Sequence, residues 1–425
     1  MNSPTQETLK ASPQTQAGPF RKWLETSTGT ALLCSTVHGL NDTYNSYLGA
    51  LMPVLIDHFR LTLTMAGVLA SASTLATSLF QPVFGYMLDR ATVKPNIFTW
   101  PIITAIATCS IALAPNATML IPLLVIAGLS TAAFHPHAAS TVPPAGLPMA
   151  LFLAGGTVGY AVGPVLSLGI VNSFGLRSLW VLAVPTVLAS LFLSRFAQPT
   201  RREGRKNVGR FALPLTRDKL KVFLTIWVIV AMRSTVGTTF SSFLSVHLRQ
   251  TGFPLLLVGV GLLVHTGAGT FGSVVGGYLS DTIGRKTVIT LGTSLILVSY
   301  LLLLKSSGIW TWLLLALGGF AMNSFNPVTV VMAQDLFPEN RAMAGGMVMG
   351  LGWSVGGLVV SFVGAMADRM GLANTLTWIT LLLAPAVLLS LTLPGKYFKR
   401  HTPVGTVSST ASHGEASAQS RGESS

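Results

Sequence analysis

His38, Asn41, Asp42 and Asn45 recur at i, i+3, i+4 and i+7, the spacing that gathers side chains on one helix face. They set a carboxylate and an imidazole beside two amides, groups suited to exchanging protons while holding a polar ligand. Tyr44 and Tyr47 extend the polar character nearby. Of 13 acids only Asp42 lies well inside an apolar stretch, and of 27 lysines and arginines only Arg233 does. Such a group costs about 3 kcal/mol or more at mid-membrane, so each needs a reason to be there. Two arrangements are open. Either Asp42 exchanges protons while Arg233 attracts an anionic group, or the two form a static bridge between helices.

Histidines are the second unusual feature. His38, His135, His137 and His265 all sit within apolar stretches, and His247 lies near the end of one. Pro136, between His135 and His137, frees a backbone carbonyl beside two titratable rings. A zinc site made by His135 and His137 is not expected, because residues two apart on a helix point in different directions. No metal site and no cofactor are expected. The lack of a phosphate-binding glycine loop excludes an ATP-driven pump.

These residues must be positioned by membrane helices. Half of the 425 residues are apolar, only 9% are charged, and the mean hydropathy is +0.62. A soluble protein carries about a quarter charged residues, so this chain lacks the means to cover a water-facing surface. Twelve apolar stretches of the length needed to span a bilayer occur at 29–57, 64–88, 95–114, 118–141, 147–173, 176–195, 221–247, 254–280, 286–305, 309–334, 342–367 and 371–394. They are too long, and alternate too little, to be strands of a membrane barrel. Cys34 and Cys109 lie within such stretches and exclude a disulfide framework.

The formal net charge of +14 would suggest nucleic acid in a soluble protein, but here it reports topology. With the N-terminus in the cytoplasm, 21 cations fall inside and five outside, Arg233 being the remaining one. Both termini are therefore expected in the cytoplasm, with no nucleic-acid partner and a lipid bilayer as surroundings. The start has no signal-peptide layout. The expected organisation is a tail at 1–28, a six-helix bundle at 29–195, a basic linker at 196–220, a second bundle at 221–394 and a disordered tail at 395–425. The fold class is an all-α membrane protein of twelve transmembrane helices.

The two halves repeat. Gly85-Tyr86-Met87-Leu88-Asp89 matches Gly277-Tyr278-Leu279-Ser280-Asp281 at an offset of 192, and Gly67 matches Gly259 at the same offset. Gly128 followed by Phe134-His135-Pro136 matches Gly319 followed by Phe325-Asn326-Pro327 at 191. Three matches in order indicate duplication, hence two pseudo-symmetric six-helix bundles with a ligand site between them. The offset pairs Arg233 with Asn41 and so puts Arg233 near the depth of Asp42. Asn326, the counterpart of His135, can hydrogen-bond a substrate but cannot titrate.

Gly277-x-Leu279-x-Asp281-x-x-Gly284-Arg285-Lys286 resembles the cytoplasmic-loop signature of the major facilitator superfamily, and the first copy keeps Gly85, Asp89, Arg90 and Lys94. The resemblance implies a conformational latch made by Gly85, Asp89, Arg90, Gly277, Asp281 and Arg285. His38-x-x-Asn41-Asp42, Gln81-Pro82-x-x-Gly85, Phe134-His135-Pro136, Gly155-Gly156-x-x-Gly159-x-x-x-Gly163-Pro164 and Arg233-Ser234 together resemble the fosmidomycin resistance branch of that superfamily. That branch is similar to proton-driven exporters of small toxic compounds in the bacterial inner membrane. Where it commonly shows an acid after His-Pro and a basic residue three further on, this chain has His137 and Ser140. Proton handling is then expected to rest on Asp42, His38 and His135. Substrate binding is expected at Arg233, Asn41, Asn45, Tyr44, His137 and Asn326. The expected function is proton-coupled efflux of a small anionic organic molecule by a monomer using alternating access. An importer, an uncoupled facilitator and a non-transporting receptor are the competing expectations.

Overall fold

A computed structural model of the chain describes residues 26–91, 95–142, 146–195, 216–337, 344–345 and 347–394. Residues 1–25 of the predicted N-terminal tail, the predicted C-terminal tail, most of the basic linker, Lys94, Pro143-Pro144 and Arg341 lie outside these residues. Among the described residues every regular element is helical, and helix occupies each of the twelve predicted stretches. In lipid a helix satisfies its own backbone N–H and C=O groups, so long apolar runs have no better conformation. Among the described residues, nine helices are long and apolar enough to cross a membrane unaided.

The remaining stretches are interrupted. The first is split at Ser46 into Ser27–Asn45 and Tyr47–Phe59. The third is the short Thr99–Ser110 helix continuing into a tighter turn. The eleventh passes through a π-helical turn, Met347–Leu351, before Gly352–Met370. Two further breaks occur where Gln81-Pro82 and Asn326-Pro327 each open a new helix after a phenylalanine. Proline has no backbone N–H to continue the ladder, yet the repeat counterpart of Asn326-Pro327, His135-Pro136, stays within the unbroken Leu120–Thr141 helix.

One predicted boundary moves. The second bundle starts at Arg217–Gln250 rather than at 221, so the end of the expected linker is helical. Thr216 caps it by accepting the Lys219 N–H, and Asp218 in the first turn complements the helix dipole.

The duplication read from the sequence is present in the packing. A Cβ on Gly85 would lie 3.6 Å from Pro136, and one on Gly277 would lie 3.9 Å from Pro327. Gly128 packs on the backbone of Ser73, and its counterpart Gly319 packs on that of His265.

The halves meet away from the basic end, which carries Arg90, Arg195, Arg217, Arg285 and Lys286. Gly67 lies against the backbone of Val360 and Ser361, and Gly364 against Leu63 and Thr64. Tyr160 and Ser241 hydroxyls stand 3.0 Å apart across the same interface. The Gln81–Arg90 helix at the basic end packs chiefly on helices of its own half. The described residues thus form two bundles closed at one end, with polar side chains between them.

Candidate functional site

Asp42 is held by a small polar network. Its Oδ1 accepts the Asn41 amide at 3.0 Å and the Asn45 amide at 3.1 Å. Each amide is fixed in turn, because the Asn41 carbonyl accepts the Thr104 hydroxyl and the Asn45 carbonyl accepts that of Thr131, both at 3.1 Å. The four-residue polar face on Ser27–Asn45 therefore buries its asparagines against neighbouring helices and leaves the acid between them.

Two imidazoles complete the cluster. His38 Nε2 lies 3.1 Å from Asp42 Oδ2, one helical turn away, and His135 Nε2 lies 3.4 Å from Oδ1. The rings stand edge to face with centroids 5.3 Å apart. His38 stacks on Phe152 at 4.3 Å, where Gly156 leaves room for the ring. His38 Nδ1 is 2.9 Å from the Phe152 carbonyl and His135 Nδ1 is 3.0 Å from that of Thr131. A carbonyl oxygen only accepts, so both Nδ1 atoms carry hydrogen and both Nε2 atoms face the carboxylate. With Asp42 ionised and both rings neutral, lone pairs face lone pairs. One added proton, on an Nε2 or on the carboxylate, turns that opposition into a hydrogen bond. The side chains are 7% (His38), 15% (Asp42) and 27% (His135) exposed, so His135 is the most open of the three.

Arg233 lies in the other half, within Arg217–Gln250, and is buried. Its guanidinium donates to the Met322 carbonyl at 3.0 Å and sits 5.3 Å over the Phe325 ring. Among the described residues it forms no ion pair, and its Nε has no hydrogen-bond partner. Of the two arrangements open in the sequence, the static Asp42–Arg233 bridge is absent here, since each group is engaged within its own half. Asn326, half-buried, donates to Asn323 at 2.8 Å. Nearby in that half, His265 Nε2 and the Tyr300 hydroxyl are 2.8 Å apart.

Other expected residues have different surroundings. Tyr44 is buried and donates to the Leu182 carbonyl and the Thr186 hydroxyl, away from the acid. His137 is buried and accepts the Trp100 indole N–H at 3.1 Å. Neither joins the Asp42 cluster. Asn41 is wholly buried, so its part is to hold Asp42. Among the latch residues, Arg285 is buried and pairs with Asp335, which the motif does not include. Asp281 is exposed, and the Arg90 guanidinium lies 4.0 Å over the Tyr86 ring. The Asp89 side chain is outside the description. Thr104, Thr131 and Tyr300 were not singled out in the sequence. Hydroxyls in apolar runs are common, and only contact shows which ones hold an amide or an imidazole.

The profile of the Major Facilitator Superfamily matches residues 32–270 and 222–422. The chain belongs to the major facilitator superfamily. It is similar to the Fosmidomycin resistance protein of Escherichia coli (strain K12), at 28% identity over 85% of this chain and 92% of the relative. It is also similar to the Hexuronate transporter of the same organism, at 22% identity over 76% of this chain and 84% of the relative. A solved bacterial homologue of the human lysosomal transporter Spinster, inward-facing and occupied, shares the fold with a TM-score of 0.74 at 17% identity, covering 91% of this chain and all of that one. The protein is a multi-pass membrane transporter of this superfamily, not an enzyme.

Proposed function

We propose that this transporter couples proton movement to the passage of a small organic anion by alternating access, and that it works as an efflux antiporter. The supporting observation is the Asp42 carboxylate set between two imidazoles whose Nε2 atoms both face it, in a cluster whose His135 side chain is 27% exposed. Arg233, buried in the opposite half with an unpartnered Nε, supplies the positive counterpart for an anion. The efflux direction rests on similarity to a resistance protein. In this reading twelve helices cross a bacterial inner membrane, both termini face the cytoplasm, and the monomer suffices. The basic end is then cytoplasmic, and the halves are closed on the outer side.

One observation favours a second reading, co-transport. Since Asp42 and Arg233 do not pair, a proton on the cluster and an anion on Arg233 attract rather than compete. The relative named for hexuronate fits an organic anion as cargo. Proteoliposome assays separate the two readings once thermal-shift screening has supplied a substrate. Under antiport, an imposed proton gradient drives substrate against the proton flow; under co-transport, both move the same way. Asp42→Asn is expected to abolish the proton drive, and Arg233→Ala to weaken the binding of an acidic substrate. Retained proton-driven transport in Asp42→Asn overturns the coupling assignment.

A further inference from the structure

We propose that His38, Asp42 and His135 form a binding site for a divalent transition-metal ion of the zinc class. The inference stands on the ligand geometry and does not depend on the proton-coupling reading.

Three observations carry it. The ligand atoms are already gathered, with imidazole nitrogens 3.1 and 3.4 Å from the carboxylate oxygens and all three groups' ligand atoms within 4.8 Å of one another. Tetrahedral zinc with bonds of about 2.0–2.1 Å holds its ligand atoms roughly 3.3 Å apart, close to the two spacings seen. Both imidazoles are also in the tautomer a metal requires. Each donates Nδ1–H to a backbone carbonyl, of Phe152 and Thr131, and turns its Nε2 toward the Asp42 carboxylate, His38 at Oδ2 and His135 at Oδ1. Finally, the carboxylate is oriented by the Asn41 and Asn45 amides, each braced by a threonine hydroxyl.

The donor set selects the class of ion. Two imidazoles and one carboxylate suit zinc, cobalt or nickel, whereas magnesium and calcium prefer oxygen ligands throughout. Three protein ligands leave one tetrahedral position for water or a further ligand. All three come from one half of the protein, so the ion needs no closure of the halves to bind. Its charge takes the place of the protons that otherwise reconcile three facing lone pairs. A bound ion is therefore expected to stop proton exchange at Asp42.

The test uses the purified full-length chain, stripped with a chelator and titrated with Co2+. The visible ligand-field absorption of Co2+ reports a tetrahedral nitrogen and oxygen site, and Zn2+ competition gives the affinity. His135→Gln and Asp42→Asn are each expected to weaken Zn2+ by at least tenfold and to remove the tetrahedral spectrum. His58→Gln, and His401→Gln combined with His413→Gln, are expected to leave both unchanged. Gel filtration and thermal unfolding establish that the variants are folded. His135→Gln alters the most exposed of the three groups and is the variant best able to fold. Wild-type affinity in both cluster variants overturns the proposal, as does loss of binding only in the His58 or His401/His413 variants. Proton flux measured with chelator present tests the coupling reading separately, so failure of one leaves the other standing.

Discussion

Asp368 and Thr64, 304 positions apart in sequence, are joined across the interface between the halves. The Asp368 carboxylate accepts the Thr64 hydroxyl at 2.6 Å and backbone N–H groups of Thr64 and Leu63 at 2.8 Å each. An acid from the end of Gly352–Met370 thus caps the first turn of Leu63–Leu79, whose positive dipole end favours it. This contact exists only while the halves are closed at that end.

Asp368→Asn keeps a capping oxygen but removes the charge at the helix end, and is expected to weaken the closed end by about 0.5 kcal/mol, roughly a twofold change in conformational population. The effect is also pH-dependent. Burial is the largest single influence and raises the Asp368 pKa, but the hydrogen bonds from the Thr64 hydroxyl, the Thr64 and Leu63 backbone and Thr62 together outweigh it, and the net shift is downward. A lowered folded pKa means the contribution is complete above the ordinary Asp value of about 3.9. It is lost as pH falls through the folded value. Distances between spin labels on the two halves should lengthen at that end in the variant, or in wild type under acid, while an unchanged distribution would refute the gate.

Gly67 and Gly159 separate conformation from stability. A Cβ on Gly67 meets the backbone of Val360 and Ser361 in the other half, whereas one on Gly159 meets that of Gly39 in the same half. Backbone cannot swing aside as a flexible side chain can, and overpacking costs about 1–3 kcal/mol. Gly159→Ala should lower thermal stability. Gly67→Ala should instead shift the spin-label distances and leave the unfolding temperature nearly unchanged.

The Arg285–Asp335 pair bears on the latch. Asp335→Asn leaves a largely buried arginine without its acid and should destabilise the protein clearly, with some reduction because Asp335 is 24% exposed. Asp281→Asn alters an exposed side chain and should change stability by no more than about 0.5 kcal/mol. If Asp281 is a latch, transport slows in its variant without loss of stability. Thermal unfolding set beside transport rate distinguishes the two residues.

Thr104→Val tests the support of Asp42 without touching the acid. It removes the hydroxyl that the buried Asn41 carbonyl accepts, leaving an unpaired polar atom at a cost of about 1–3 kcal/mol. The pH profile of proton-driven transport should move, while substrate affinity at a fixed favourable pH changes little. Thr104→Ser keeps the hydroxyl and should restore the wild-type profile.

Much of this was legible in the residues themselves. Helical spacing placed His38 and Asp42 on one face, and the offset of 192 foretold the matched contacts of Gly85 and Gly277. What spacing does not give is the direction a side chain takes once neighbouring helices pack. Tyr44 is only two residues from Asp42 yet turns to Leu182 and Thr186, because its ring leaves the helix on another side. Depth likewise suggested that Arg233 might reach Asp42, but the Met322 carbonyl in its own bundle offered a nearer acceptor. Asp335 and Asp368 stood out only as acids at helix ends. Their partners, Arg285 and the Leu63–Thr64 backbone, depend on tertiary contacts across 50 and about 300 residues.

Under the proposed mechanism, the position of Arg233 implies a response to voltage. Its guanidinium sits near the middle of a long helix and, among the described residues, has no acid to neutralise it. Moving one elementary charge across a membrane potential of 100 mV involves about 2.3 kcal/mol. If the rocking of one half carries Arg233 through even a tenth of that field, the two orientations differ by about 0.2 kcal/mol. An anion bound to the guanidinium cancels the difference, so the loaded and empty carriers respond differently to the same electric field.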